Sequence, residues 1–444
     1  MEKNVVVIGG GPAGVTAAIS ARRHHPDARI RLIRREEKAL IPCGIPYIVG
    51  TLGSVEKNLM PDKVLSGNNI ELVVDEVTGM NREAKTLSTA NHNSIGYGKL
   101  VLAAGSLPLV PKLPGMDLDN VFMVKKDVKY LRKLLYALDK AKDVVIIGGG
   151  FIGLEFADEC KKRGLQNVTV IELLHHCLLL ACDEEICKRA EEKLKGRGVN
   201  LLTDREAEAI GGEKKVEYVQ VKGGEGVRAD LVILGLGVRP DVELAEKAGL
   251  RVDKKMGIWV DHFMRTSDED IFACGDCAEK TCYLTGKPVA IWLASVSTTE
   301  ARIVGANLFA ARRRMECAMG IFSTCFGDLA IGSAGFTETR AKELGIDVVT
   351  STIVAPDKHP GGIPGATEVG VKLISEKDTG LLIGGQAYGG SSVGELINFI
   401  GALIQHKMRV DEIATFQMGT HPMLTSSPIA YQIVNAAEIA ASTK

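Results

Sequence analysis

The sequence predicts an α/β protein in three parts: two units of parallel strands and helices, the first interrupted by the second, then an α+β unit. Three observations predict it. Two apolar runs, opening near residues 4 and 142, each lead into a glycine-rich turn and a helical stretch. A short hydrophobic strand ending in Gly275-Asp276 follows the second unit, so the chain returns to the first. From about residue 321, strand-like pieces alternate with glycine turns, and two helical patterns close the chain. The expected divisions are 1–112, 113–250, 251–320 and 321–444, with the first and third forming one domain.

The elements follow in order. Residues 4–8 form a continuous apolar strand, as in a parallel sheet buried on both faces. The turn Gly9-Gly10-Gly11-Pro12-Ala13-Gly14 opens a helix reaching about His24. Gly9, Gly11 and Gly14 allow a tight turn and close backbone approach, so a pyrophosphate can rest on the helix N-terminus. The second strand, 30–33, should end in an acid that binds ribose hydroxyls. Arg34 and Arg35 come first, so Glu36 is the candidate. Residues 70–77 and 97–102 read as strands. The second of them runs into Ala103-Ala104-Gly105, and Ala104 and Gly105 bring backbone close to a dinucleotide. Pro108, Pro111 and Pro114 mark a crossing between domains.

The second turn is Gly148-Gly149-Gly150-Phe151-Ile152-Gly153, with Gly148, Gly150 and Gly153 in the fingerprint positions. Strand 168–171 ends in Glu172, 19 residues beyond Gly153, near the spacing of a ribose-binding acid. This unit closes with strand 231–234 and Gly235-Leu236-Gly237. Gly275 and Asp276 then place a carboxylate where it can hold the hydroxyls of a flavin's ribityl chain. Strands are expected at 329–331, 347–353, 368–374 and 381–385, and helices at 393–405 and 428–441.

Composition limits the function. The 444 residues carry a net charge of −1, with 25% charged and 45% hydrophobic residues. That is a soluble globular balance with no field drawing nucleic acid or an anionic membrane. Arg312-Arg313-Arg314 reads as a solvated face. No apolar run reaches the roughly 20 residues of a bilayer span. The chain enters a strand at once, and ten cysteines are scattered without framework spacing. We therefore expect a cytoplasmic protein with reduced thiols. Cys274 and Cys277 form a C-x-x-C, but no second ligand pair is near, so no metal is expected.

The chemistry centres on Ile41-Pro42-Cys43-Gly44-Ile45-Pro46-Tyr47. Residues 45–49 read as the start of a short helix with Cys43 at its N-terminus, where a thiolate is stabilised. Such a thiolate attacks disulfide or persulfide sulfur.

Two fingerprints, an intervening thiol segment and a late Gly-Asp motif resemble the pyridine nucleotide-disulfide oxidoreductases, over essentially the whole chain. Disulfide reductases of that superfamily carry C-x₄-C, and here the second position is Ile48. The single cysteine resembles the branch of coenzyme A-disulfide reductases, coenzyme A-persulfide or polysulfide reductases, and NADH oxidases and peroxidases. The resemblance implies two Rossmann-like domains, the FAD domain discontinuous, and a C-terminal α+β dimerisation domain forming a homodimer. It implies FAD, NADH, and coenzyme A as substrate or bound group. NADH would lie beside Phe151 and Glu155, with Gly237 also near the cofactors. Coenzyme A would lie on Thr16, Ser20 and Arg23. The branch's oxidases and peroxidases carry a histidine in the first glycine turn, where Pro12 stands here. The disulfide reductases' partner tyrosines fall near Gly362 or Ile363 and near Thr420, none of them aromatic. This leaves room for a persulfide or polysulfide. Gly419-Thr420-His421-Pro422 resembles the His-Pro stretch of lipoamide dehydrogenases, which implies His421 as acid–base catalyst. The orienting glutamate five residues on is replaced by Ser426. The alternatives to sulfur reduction are an NADH oxidase and an NADH-sensing redox flavoprotein.

Overall fold

The computed structural model describes residues 3–443. These divide into two compact units. One comprises the chain to Lys112, with 122–140 and 236–318; the other comprises 113–121, 141–235 and the chain from 319 onward.

The first unit is built on five parallel strands in the order Ile271–Ala273, Lys99–Leu102, Asn4–Ile8, Arg29–Arg34, Glu71–Val74. The central strand buries Val5, Val6 and Val7 completely, each contributing about 1.5–3 kcal/mol of burial. The helix Pro12–His24 packs on Ala294–Asn307. Gly305 permits this, because a Cβ there would lie 2.5 Å from that of Ser20. The return strand at 271–273 pairs with Lys99–Leu102, which places the Gly275-Asp276 motif in this unit.

Three elements differ from the sequence reading. The strand expected at 70–77 breaks at Asp75, whose amide donates to the Arg34 carbonyl (2.9 Å) and whose carboxylate accepts the Glu76 amide (2.8 Å). Val77–Asn81 then starts a separate antiparallel sheet with Thr86–Thr89 and Ser94–Gly96. Residues 236–250 pack in the first unit, because Val238–Pro240 pairs with Ser106–Pro108. The last helix runs Gln432–Ser442; Pro428–Ala430 is a 3₁₀ turn and Tyr431 is extended.

The second unit contains the parallel strands Val199–Leu202, Asn167–Ile171, Asp143–Ile147 and Leu231–Leu234, in that order. It also holds the closing antiparallel sheet: Ile321–Phe326, Leu329–Gly335, Leu382–Gly389, Glu368–Glu376, Val348–Pro356. Val393–Gln405 packs on this sheet at Gly332 and Gly385, where a Cβ would lie 2.9 Å from Ile397 and from Ile400. Gln432–Ser442 packs on it as well, and Ser351 donates to the Ala436 carbonyl at 2.7 Å. Asp183, at the head of the helix Glu184–Gly196, ties this sheet to the nucleotide-type part. Its carboxylate accepts Lys372 (3.0 Å), Gln386 (2.6 Å) and the amides of Glu338 and Thr339 (3.1 Å each). Phe416, Met423, Leu424, Ile429 and Ile439 leave apolar surface exposed on the closing domain.

Candidate active site

The two glycine turns are built alike. The Gly9 amide donates to the Ile33 carbonyl (2.8 Å), and the Gly148 amide to that of Ile171 (2.9 Å). A Cβ on Gly14 would meet the Gly9 oxygen at 2.0 Å, and one on Gly153 the Gly148 oxygen at 1.9 Å. Both turns are therefore as tight as backbone allows. Gly9 takes φ +115° and Gly148 +109°, conformations that favour glycine. Gly11 and Gly150 cap the two helices without side-chain partners, and a Cβ on either would meet nothing within 4 Å. Each helix thus presents unspent N–H groups to open space, the arrangement that holds a phosphate.

The turns differ at the end of the following strand. Glu172 accepts the Gly149 amide (2.5 Å) and the Leu174 amide (2.8 Å), so its carboxylate is held beneath the turn. In the first unit Arg34 occupies the corresponding place, with its Cδ under Gly10. Its guanidinium makes two bonds to Asp62, of 2.6 and 2.9 Å, and holds the Asp62 carboxyl below its usual range. Glu36 lies two residues on and accepts from Arg35 Nε (3.0 Å).

A polar cluster surrounds Asp276. Ser106 donates to Oδ2 (2.7 Å) and Ser297 to Oδ1 (3.3 Å); Lys126 donates to Ser106 (3.1 Å) and lies 3.8 Å from the carboxylate. Sequence reasoning missed all three. Ser106 directly follows Ala104-Gly105 and was findable; Lys126 and Ser297 carried no local signal. Ala104 is exposed at the end of a buried strand, and Gly105 takes φ +78°. Trp292, two residues before the helix that carries Ser297, has a buried indole N–H with no hydrogen-bond partner among the described residues. Open glycine amides, an exposed strand end, an orphaned donor and a fixed carboxylate fit an FAD in the first unit. Gly148, Gly150, Gly153 and Glu172 fit a nicotinamide dinucleotide in the second. Gly237 takes φ +89°, and its carbonyl accepts the Leu109 amide (3.0 Å) in the first unit.

Cys43 is exposed, but not at the start of an α-helix. Two successive 3₁₀ turns, Pro42–Gly44 and Pro46–Ile48, take the place of the expected helix. The amides of Gly44 and Ile45 are spent on the carbonyls of Ile41 (3.0 Å) and Pro42 (3.1 Å), because the prolines enforce tight turns. The helix-dipole argument therefore does not apply to this thiol. The segment is held by Asn58, buried, which donates to the Ile41 carbonyl at 3.0 Å. Its Oδ1 would lie 1.9 Å from a Cβ on Gly44, so only glycine fits beside it. Most other cysteines are inert by burial, which pushes Cys160, Cys177 and Cys182 up to about 12 and Cys277 up to about 11. Cys274 and Cys277 are buried free thiols. Ile48, in the second-cysteine position, is fully buried.

On the first-turn helix, Thr16 is half-buried and Arg23 exposed. Ser20, expected on a binding surface, is instead buried under the neighbouring helix and donates to the Arg302 carbonyl (3.2 Å). The close approach at Gly305 is the reason. Arg22 is structural, bonding the carbonyls of Pro26, Ala28, Asn68 and Asn69.

In the second unit the Phe151 ring meets Phe322 edge-on, centroids 4.6 Å apart, and Glu155 accepts from Thr324 (2.9 Å). His421 is exposed in a turn. Its Nδ1 accepts the Met423 amide (3.2 Å), an arrangement that puts the neutral tautomer's proton on Nε2. Ser426 is a buried anchor, donating to the Pro356 carbonyl (2.7 Å).

Two glycine turns of dinucleotide-binding type, the exposed Cys43 thiol in a proline-bounded segment and a closing antiparallel-sheet domain define a two-nucleotide oxidoreductase. Residues 3–301 match the family model for pyridine nucleotide-disulphide oxidoreductase, and 321–429 match that for its dimerisation domain. The chain belongs to this family. It is 34% identical over 399 residues to a protein of Pyrococcus horikoshii named NAD(P)H coenzyme A polysulfide/persulfide reductase, covering 88% of each chain. It is 31% identical over 426 residues to an NADH oxidase of Methanocaldococcus jannaschii, covering 93% of each. Among solved structures, an NAD-dependent persulfide reductase from A. fulgidus superposes with a TM-score of 0.92 at 32% identity. That match covers 99% of this chain and 83% of the other. Among the described residues, no helix is long and apolar enough to cross a membrane.

Proposed function

We propose that the protein is an FAD-dependent NADH oxidoreductase that reduces the sulfur of coenzyme A disulfide or of coenzyme A persulfide or polysulfide, using Cys43 alone. The carrying observation is the exposed Cys43 in its clamped turn, with buried Ile48 where a second cysteine would stand. Bound FAD supplies a two-electron relay between NADH and sulfur.

The chain's residues do the rest. Gly11 and Gly150 present helix N-termini to the two pyrophosphates. Asp276, fixed by Ser106 and Ser297, accepts from the flavin's ribityl hydroxyls, and Glu172 from the NADH ribose. Cys43 as thiolate attacks the S–S bond of coenzyme A disulfide. A Cys43–coenzyme A disulfide forms, and coenzyme A leaves as thiolate and takes a proton. Two electrons and a further proton then return Cys43 to its thiolate and release the second coenzyme A as thiol. The sum is one NADH and one proton consumed for two thiols formed. With a persulfide, the products are coenzyme A and hydrogen sulfide. Arg23 offers charge to coenzyme A phosphates. His421 Nε2 donates towards the departing sulfur from the partner subunit of a homodimer. The matched dimerisation domain and its exposed apolar side chains support that assembly.

An oxidase reading, with oxygen as acceptor, has support in relatives named NADH oxidase. Pro12, in place of the histidine that oxidases and peroxidases of the branch carry, weighs against it. The test is anaerobic NADH consumption with coenzyme A disulfide, coenzyme A persulfide and polysulfide, compared with oxygen. Sulfur-dependent turnover, lost in Cys43→Ser, is expected. Turnover with oxygen alone would establish the oxidase.

A further inference from the structure

The Gly275-Asp276 motif is held from behind by two charges deep in the first unit. Lys280 and Glu300 form an ion pair (3.0 Å) whose side chains are 0% and 2% exposed. Lys280 Nζ donates to the Gly275 carbonyl (2.7 Å), the Ala278 carbonyl (3.0 Å) and Glu300 Oε2 (3.1 Å). Glu300 Oε2 also accepts the Gly275 amide (2.8 Å). Both backbone polar groups of Gly275 are thus bound by one buried pair.

Such a pair is a poor way to make a core stable. Desolvating two charges costs several kcal/mol per ion, and an apolar pair of similar volume is often as stable. What apolar side chains lack is direction. Gly275 takes φ +80°, and a Cβ there would lie 2.7 Å from that of Ala13, on the first-turn helix. Its peptide groups are therefore set in a conformation that only glycine tolerates, and the pair fixes both of them. The next residue is Asp276.

We propose that Lys280 and Glu300 are positioning residues for the flavin: they fix the Gly275 peptide so that the Asp276 carboxylate is preorganised before FAD binds. This rests on the reading of Asp276 as a flavin-holding group. Lys280 and Glu300 act through the backbone and touch no reacting atom.

The test measures FAD affinity by reconstituting apoprotein and following flavin fluorescence, with the visible spectrum of bound flavin as a second readout. Lys280→Met and Glu300→Leu should each weaken FAD binding at least tenfold and blur the resolved flavin bands. Glu300→Gln, which keeps an acceptor for the Gly275 amide, should recover most of the affinity. Asp276→Asn should weaken binding too, and adding Lys280→Met to it should cost less than the two separate losses combined, because both act through one carboxylate. A folded Lys280→Met protein with wild-type FAD affinity overturns the proposal, as does full additivity with Asp276→Asn. Where a single variant does not fold, the double variant Lys280→Met/Glu300→Leu leaves no lone buried charge. Wild-type FAD affinity in that double variant overturns the proposal, and a tenfold loss in a folded protein supports it. Failure of the wild-type protein to bind FAD, or unchanged binding in Asp276→Asn alone, would refute the underlying flavin reading instead.

Discussion

Cofactor choice is where the structure makes its sharpest demand. Glu172 is pinned by the Gly149 and Leu174 amides, so its carboxylate cannot swing away from an incoming 2′-phosphate. Two unit charges about 5 Å apart interact by roughly 3 kcal/mol at the effective dielectric of a protein surface. The site is half-exposed, so solvent removes part of this, and roughly 2 kcal/mol survives, a factor of about 30 in favour of NADH. The nearby His175 and His176 do not reverse the sign. His176 lies against the carboxylates of Glu184 (3.4 Å) and Glu191 (3.2 Å), which offset its charge. The assay is kcat/KM for NADH and NADPH at equal ionic strength. Glu172→Ala should close most of the gap, chiefly by gaining NADPH activity, and rising salt should narrow it in the wild-type protein. Equal efficiency with both cofactors in the wild-type protein would show that the 2′-phosphate does not approach Glu172.

Arg23→Glu should raise KM at least tenfold for coenzyme A substrates and leave it unchanged for inorganic polysulfide; equal shifts for both would remove Arg23 from the binding surface. His421→Ala should lower turnover with sulfur acceptors by about tenfold, the low end of general acid–base effects; an unaltered rate makes His421 structural. Leu424→Glu should turn the dimer into monomer by sedimentation and abolish sulfur reduction, and an active monomer would contradict a partner-completed site. Burial alone would raise the Asp183 carboxyl, but the Thr339 amide, Lys372 and the Glu338 amide outweigh it and hold it below the usual carboxylate range. Its contribution is therefore present above the unfolded-state pKa and lost as pH falls through the folded one. Asp183→Ala should cost about 3 kcal/mol in denaturant unfolding at pH 7 by stranding buried donors, and should flatten the acid limb of the stability curve.

Much of the fold was legible because its signals are local. The strands at 4–8 and 144–147 read as apolar runs, and the glycine turns announce themselves by spacing. The Cys43 segment was found from residue identity but misread in conformation. Apolar residues at 45–49 suit a helix, yet Pro42 and Pro46 divide the stretch into two 3₁₀ turns that spend the amides a helix would leave free. Ser20 was misplaced for a different reason. The family resemblance groups it with Thr16 and Arg23 on a binding surface, but Gly305, far along the chain, lets another helix cover it. Lys126, Ser297 and Asn58 reach their roles through contacts that no local pattern encodes.

The two nucleotide turns show how little sequence separates like folds with unlike tasks. Their glycines, capping geometry and strand registers correspond, and the strand-end side chain does not. Glu172 bonds two amides of its own unit and keeps negative charge beneath the turn. Arg34 puts positive charge in the corresponding place, and must then be matched. It is buried, so an unmatched guanidinium there would cost several kcal/mol, and Asp62 supplies the match with two bonds. Asp62 sits just beyond the strap of residues 39–60, whose ends pair through Ala39 with Met60 and Ile41 with Asn58. The Arg34–Asp62 pair therefore fastens that strap to the first turn, and Asn58 fastens Cys43 within it. In the first unit, the position that would otherwise carry a ribose acid holds the thiol segment against the nucleotide fold.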